Sequence, residues 1–260
     1  METSEIASYF QKPVVILDFE TSKSQDNEPG IPIQIGCVQI DLDGNTTQLS
    51  KYVFQKSYEP EGDILCIKGT RTSIAELTGV YSSHLRSPEF ADSRISVSDI
   101  VDLKLPESII IGYNIPYDVR VLKRIYKTTG TAFPDVQIVD IMSVYIDLYG
   151  HNVKKGTYRN GTCFYTEYRL SNAAQHLGVD IERQKLHNAL GDVELTIDVI
   201  RKIFTDNPSL DYSKYINKIY FNPCYTIPIW QRLQGVKYYP FGNNAKWAAQ
   251  LFPKYSLYNV

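Results

Sequence analysis

Apolar residues in this chain fall into short runs and stripes whose periods indicate the elements. Residues 14–17 (Val-Val-Ile-Leu) form an unbroken apolar run, the pattern of a strand buried on both faces. Residues 31–42 alternate apolar and polar positions and predict a second strand. Asp43-Gly44-Asn45 predicts a tight turn, and residues 47–55 return as a third strand to complete a hairpin. The pattern weakens over 59–106, where short helices are predicted after Thr72-Ser73 and over 98–103. Ile109-Ile110-Ile111 predicts a fourth strand and residues 136–139 a fifth. Helical periodicity marks 116–127, with Asn114 as N-cap and Pro116 in the first turn, where its missing N–H does no harm. Further helices are predicted over 141–149, 170–177 (closed by Gly178) and 188–204, the last with Asn188 as cap. Three strands followed by alternating helix and strand predict an α/β fold, a mixed sheet with helices on its faces.

Four acids break this pattern. Asp18 and Glu20 follow the first apolar run and, two residues apart, point to one side of their strand. Asp118 heads a helical stripe made of Val121, Leu122 and Ile125, and Asp192 aligns in the same way with Leu195, Val199 and Ile203. A carboxylate on a core-facing stripe is costly to desolvate without a cation or hydrogen-bond donors. Placement in a first helical turn returns only about 0.3–1 kcal/mol. Strand ends and the helix starts beside them are where α/β sheets place their sites. Four carboxylates converging on one point call for about two divalent cations, and oxygen-only two-metal sites are the signature of phosphoryl-transfer hydrolysis. The plainer alternative for Asp18 and Glu20 is a strand that runs out into a solvated acidic turn. His187 lies five residues before Asp192, in the loop ahead of the helix, and this spacing sets it apart from the ligand face of Asp192.

These residues stand in motifs that resemble the DnaQ-like 3′→5′ exonucleases of the DEDDh subgroup. Leu17-Asp18-Phe19-Glu20-Thr21 resembles the family's Asp-x-Glu-Thr motif. Gly112-Tyr113-Asn114-Ile115-Pro116-Tyr117-Asp118 resembles His-Asn-x-x-Phe-Asp, and His187-Asn188-Ala189-Leu190-Gly191-Asp192 resembles His-x-Ala-x-x-Asp. Lesser echoes are Gln34-Ile35-Gly36-Cys37-Val38, Leu77-Thr78-Gly79-Val80, Asp140 and Leu170-Ser171-Asn172-Ala173. The resemblance covers about residues 13–204. It implies a ribonuclease-H-like fold with a five-stranded mixed sheet, two Mg²⁺ or Mn²⁺, and release of nucleoside 5′-monophosphates from a 3′ end. It also implies that Asp18, Glu20, Asp118 and Asp192 hold the metals, that His187 is the general base, and that Phe19, Thr21, Asn114 and Tyr117 contact the substrate. Single-stranded DNA is the favoured substrate; an exoribonuclease and a nucleic-acid-binding scaffold are the alternatives. The chain departs from the family pattern at Tyr113, at Tyr117, at Ser22-Lys23 in place of Thr-Gly, and at Gln34 in place of Glu.

Charge changes the picture in one place. The net charge of −2 hides an acidic body, with 21 Lys+Arg against 27 Asp+Glu over 1–204, and a basic tail, with 6 against 2 over 205–260. That tail carries thirteen aromatic residues, too many for a disordered segment. It is therefore expected to be an extension packed on the 1–204 exonuclease domain, or a docking segment for a protein partner. Within the body, Lys154, Lys155, Arg159 and Arg169 alternate with Tyr158, Tyr165 and Tyr168, a mixture suited to phosphates and stacked bases or to a plain solvated hairpin. The four cysteines show no metal-binding spacing. The first residues lack the features of a signal peptide, and no apolar run is long enough to span a membrane, so a cytoplasmic protein without a membrane partner is expected.

Overall fold

The structure, a computed structural model, describes residues 2–23, 29–54, 58–67, 70–103, 105–149, 156–157, 163–164, 169–181, 187–220 and 256–258. In chain order the body comprises α1 (Ile6–Phe10), β1 (Val14–Thr21), β2 (Pro32–Ile40), β3 (Thr46–Val53), β4 (Ile64–Ile67), β5 (Thr70–Ser73), α2 (Ile74–Thr78) and α3 (Ser82–Arg86). It continues through β6 (Arg94–Ile95), α4 (Val97–Val101), β7 (Ile109–Gly112), α5 (Pro116–Thr129), β8 (Gln137–Asp140), α6 (Ile141–Tyr149), α7 (Leu170–His176) and α8 (Ala189–Asp206). Six strands form one mixed sheet in the order β6-β3-β2-β1-β7-β8. The β1–β2 and β2–β3 pairs are antiparallel, whereas β3–β6, β1–β7 and β7–β8 are parallel. Five of these strands are the ones the pattern predicts. The sixth, β6, is a two-residue edge strand, too short to leave a period in the sequence.

Alternation along β1 sends its side chains to two cores. Val14 and Ile16 join Val38 and Ile40 of β2 against Leu195, Val199 and Ile203 of α8. Val15 and Leu17 join Ile35 and Cys37 against Val121, Leu122 and Ile125 of α5. Helices therefore cover both faces, and the central strand is buried on each, as its unbroken apolar run requires. Burial pushes the Cys37 thiol up to about 12, which makes it a packing residue rather than a nucleophile. Beyond α8, Tyr212 and Tyr215 are buried in the α8-side core, with the Tyr212 ring 3.7 Å from that of Phe204. Asn217 then bonds both backbone groups of Ile138 at the open side of β8. Among the described residues no helix is long and apolar enough to cross a membrane. Lys154, Lys155, Tyr158, Arg159, Tyr165 and Tyr168, and residues 221–255 of the tail, lie outside the described residues.

Gly36 sets how closely α8 approaches the sheet. A Cβ there would lie 2.4 Å from the backbone of Ala189 and Leu190, at the start of α8. Those atoms belong to a helix start and cannot rotate aside. Gly36→Ala is therefore expected to destabilise the protein by about 1–3 kcal/mol, the usual cost of overpacking, as read in urea unfolding. It should also reduce activity, because Gly36 pairs directly with Asp18 and the displaced helix carries Asp192.

Candidate active site

The site forms where β1 outruns its apolar run. Asp18 and Glu20 continue the register of Val14 and Ile16 and so face the α8 side at the C-terminal end of the strand. Beside them, β7 ends at Gly112, where a Cβ would come within 2.9 Å of the Leu17 carbonyl oxygen. The chain then turns through Asn114, whose φ of 61° is left-handed, into α5. The sequence reading made Asn114 the side-chain cap of this helix, and the structure corrects it. Ile115 holds the cap position without a side-chain bond, and the Asp140 carboxylate serves the turn instead. Asp140 is fully buried and accepts from the Asn114 N–H at 2.8 Å, the Ile115 N–H at 3.3 Å and the Ser143 hydroxyl at 2.5 Å. With the turn fixed, Asp118 reaches back to β1, and its Oδ1 accepts from the Phe19 N–H at 3.0 Å.

The start of α8 is pinned from the other face. Gln34 accepts from the Ala189 N–H at 3.2 Å, and the Asn188 side chain caps the helix by accepting from the Gly191 N–H at 3.3 Å. His187 precedes the cap with φ 64°. Contrary to the spacing argument, it is not set apart from Asp192. Glu20, His187 and Asp192 each bring one metal-ligating atom to within 4.8 Å of the other two. The left-handed turn explains this: it doubles the chain back on the helix start, so helical periodicity does not govern where His187 lies. The His187 N–H also bonds the Asp192 carboxylate.

Electrostatics place all four acids in one field. Burial, followed by the charges of Asp118, Glu20 and Asp192, holds the Asp18 carboxyl well above the usual carboxylate range. Burial also raises Asp118, against the opposing Phe19 N–H. Burial and the nearby Asp192 push Glu20 up to about 8. Asp192 rises to about 6 through burial, moderated by His187. Carboxylates so arranged resist ionisation unless positive charge is supplied. The all-oxygen acid set, with one imidazole at its edge, fits hard divalent cations.

The four expected substrate contacts separate. Asn114 is exposed beside the site. Phe19 is a correction: it is 5% exposed and packs in the α5-side core, because its place between Asp18 and Glu20 turns its ring to the opposite face. The Thr21 hydroxyl is 2.7 Å from the Tyr117 hydroxyl, which also accepts from the Gly30 N–H at 3.3 Å. The sequence motifs and their lesser echoes include Gln34, Gly36, Gly112 and Asp140 without assigning them a role, and Ser143 is not singled out by them.

A family model described as Exonuclease, RNase_T, matches residues 15–200. The chain belongs to this exonuclease family. Its fold is ribonuclease-H-like, in keeping with the DnaQ-like motifs. Among solved structures, E. coli exonuclease I in complex with a dT13 oligonucleotide is 19% identical with a TM-score of 0.52, over 76% of this chain and 42% of that one. Exonuclease X in complex with 5′ overhanging duplex DNA is 14% identical with a TM-score of 0.50, over 78% of this chain and 97% of that one. Cell-death related nuclease 4 is 13% identical with a TM-score of 0.53, over 75% and 64%. At these identities the likeness is one of fold, and this chain spans less than half the length of exonuclease I. No curated protein sequence matches it.

Proposed function

We propose that this exonuclease works in the 3′→5′ direction, removing nucleoside 5′-monophosphates from the 3′ end of nucleic acid, with single-stranded DNA favoured. The observation that carries the reading is the meeting of Asp18, Glu20, Asp118, Asp192 and His187 at the end of β1, with all four carboxyl pKa values raised. Asp18, Glu20 and Asp192 would hold one Mg²⁺ or Mn²⁺, and Asp18 and Asp118 a second. When bound, such ions lower the pKa of water and neutralise charge on the scissile phosphate and the leaving 3′ oxygen. An imidazole nitrogen of His187 takes the proton of the attacking water, the general-base task that histidine most often performs. The Phe19 N–H holds Asp118 in place, and the Gln34 side chain and the Asn188 cap hold the helix that presents Asp192. Asn114 and Thr21 remain the proposed contacts to the terminal nucleotide.

The DNA named in the exonuclease I and exonuclease X structures supports DNA as substrate. Residues 1–204 are read as the nuclease body and 205–260 as an extension. Burial of Tyr212 and Tyr215 supports packing of its first part on the body. A panel of 3′-labelled and 5′-labelled single-stranded DNA, duplex DNA and RNA tests the proposal. Release of labelled mononucleotide from the 3′ label, fastest on single-stranded DNA and stopped by EDTA, is expected. Loss of the 5′ label first would reverse the polarity, and faster cleavage of RNA would reassign the substrate.

A further inference from the structure

The corner between β8 and α6 is braced by residues that lie beyond the family match. β8 ends at Asp140 and α6 begins at Ile141, so no loop separates the two elements. Asp140 is fully buried at that corner. Its carboxylate binds the Asn114 and Ile115 N–H groups, in the turn that leads into α5 and Asp118. Residues 212–217, past the matched span of 15–200, grip both arms of the corner. On the first arm, two residues before Asp140, the Asn217 N–H donates to the Ile138 carbonyl at 2.8 Å. The Asn217 Oδ1 accepts in return from the Ile138 N–H at 3.0 Å. On the second arm, seven residues after Asp140, the Tyr215 hydroxyl donates to the Asp147 carboxylate at 2.5 Å. The Lys214 ammonium stands 3.9 Å from the same oxygen. Tyr212 and Tyr215 are buried, which anchors the segment to the core while it holds the two arms.

We propose that Tyr215 and Asn217 are positioning residues of this nuclease. They lock the β8–α6 corner so that Asp140 holds the Asn114–Ile115 turn, and with it Asp118, in the geometry that turnover needs. The inference rests on the reading of Asp118 as a metal-holding group. Both residues act through Asp140 rather than on the reacting atoms. The route is short: Ile138 and Asp140 lie on one strand, and Asp140 bonds the turn directly. A close-packed interior passes a shift at one element to its neighbours. A displacement of about 1 Å at a reacting site can cost on the order of 10²-fold in rate. The first turn of the 205–260 extension thus belongs, on this reading, to the working nuclease rather than to an appendage.

Asn217→Gly in the full chain tests the brace. Glycine keeps the N–H and accepts the left-handed φ of 59°, so the variant removes little but the acceptor for Ile138. Hydrogen exchange at the Ile138 amide should speed up about tenfold, the size of one lost hydrogen bond. Exchange should also rise, about threefold or more, at Asn114 and Ile115, and at Phe19, whose N–H bonds Asp118 and so reports its position. With a 3′-labelled oligodeoxynucleotide and Mg²⁺, kcat should fall about 5- to 20-fold and KM stay within about twofold. Asn217→Asp offers the same oxygen and tolerates the same backbone, and should restore both exchange and kcat. Tyr215→Phe keeps the buried ring and loses the bond to Asp147; it should lower kcat about 2- to 5-fold and decides the matter if Asn217→Gly does not fold. Tyr212→Phe is the control. Its hydroxyl bonds the Ile203 and Asn207 carbonyls at 3.2 and 3.1 Å, at the end of α8, so its loss should lower melting temperature and leave kcat unchanged. Unchanged kcat, unchanged exchange at Asn114, Ile115 and Phe19, or no rescue by Asn217→Asp overturns the brace, as does an equal fall of kcat in Tyr212→Phe. Absence of 3′→5′ hydrolysis in the wild type would instead defeat the function proposed above. The brace is then judged by exchange alone: faster exchange at Asn114, Ile115 and Phe19 in Asn217→Gly upholds it, and unchanged exchange there overturns it.

Discussion

An Asp118→Asn protein is expected to melt higher than wild type in EDTA, lower than wild type in excess Mn²⁺, and to have lost hydrolysis by about 10³-fold or more. The first part follows from the site's electrostatics. Asp118 is 4% exposed, and its ionised form is opposed by burial and by the charges of Glu20 and Asp140. Asn keeps an oxygen to accept from the Phe19 N–H, so the exchange removes a charge without orphaning a donor. The second part is mass action. A ligand at 100 times its dissociation constant stabilises the folded state by about 2.7 kcal/mol, and a variant with a damaged site gains less. The loss of turnover has the size of removing one group aimed at developing charge. Asp18→Asn, Glu20→Gln and Asp192→Asn should behave alike. If any of the four kept near-wild-type turnover with Mg²⁺, that residue would leave the proposed metal set.

The same reasoning fixes a pH dependence. Glu20 titrates at about 8 in the fold against 4.5 as the ordinary value, so folding favours its protonated form. The stability it contributes is complete below about 4.5 and is lost as pH rises through about 8. In EDTA the wild-type melting temperature should therefore fall between pH 6 and 8. In excess Mn²⁺ the fall should shrink or reverse, because ligand carboxylates bind metal when deprotonated. Identical slopes in the two media would show that no cation enters among these groups.

The readable parts of the chain share a cause. β1, the β2–β3 hairpin, β7, β8 and helices α5 to α8 are long enough, or buried enough on both faces, for composition to record their environment. The same stripes exposed Asp118 and Asp192, because an acid is conspicuous only beside apolar residues of matching period. What the sequence left dark is held by tertiary contact. α1 has five residues, of which Ile6, Ala7 and Phe10 are buried against the end of α8, and no local period reveals that partner. The misassigned Asn114 cap has a similar origin. Asn is a sound cap by propensity, yet a buried carboxylate 26 positions later binds its backbone. Gly36 and Gly112 carry no chemistry of their own, and only the distance to a neighbouring backbone shows why they are glycine.

His187 is the residue whose placement leaves two roles to be separated by experiment. Its ring nitrogen lies within 4.8 Å of ligand atoms of both Glu20 and Asp192, close enough to share a cation with them. Yet it is exposed, whereas Glu20 and Asp192 are half-buried, and it sits on a turn rather than on the rigid helix. A general base must reach the water and retreat with its proton, which suits that position; a ligand set is better served by fixed groups. The expected result for His187→Ala is a kcat reduced by about 10²–10⁴-fold with Mn²⁺ affinity within about threefold of wild type, measured by calorimetric titration. The backbone complicates this variant, because φ of 64° is unfavourable for Ala. His187→Asn is the companion, since Asn tolerates the left-handed region and offers no base. The bond from the residue 187 N–H to Asp192 involves no side-chain atom, so both variants can retain it. If both lose turnover and keep Mn²⁺, the imidazole moves the proton. If both lose Mn²⁺ binding by tenfold or more, His187 is a ligand, and the base must be sought elsewhere in the site.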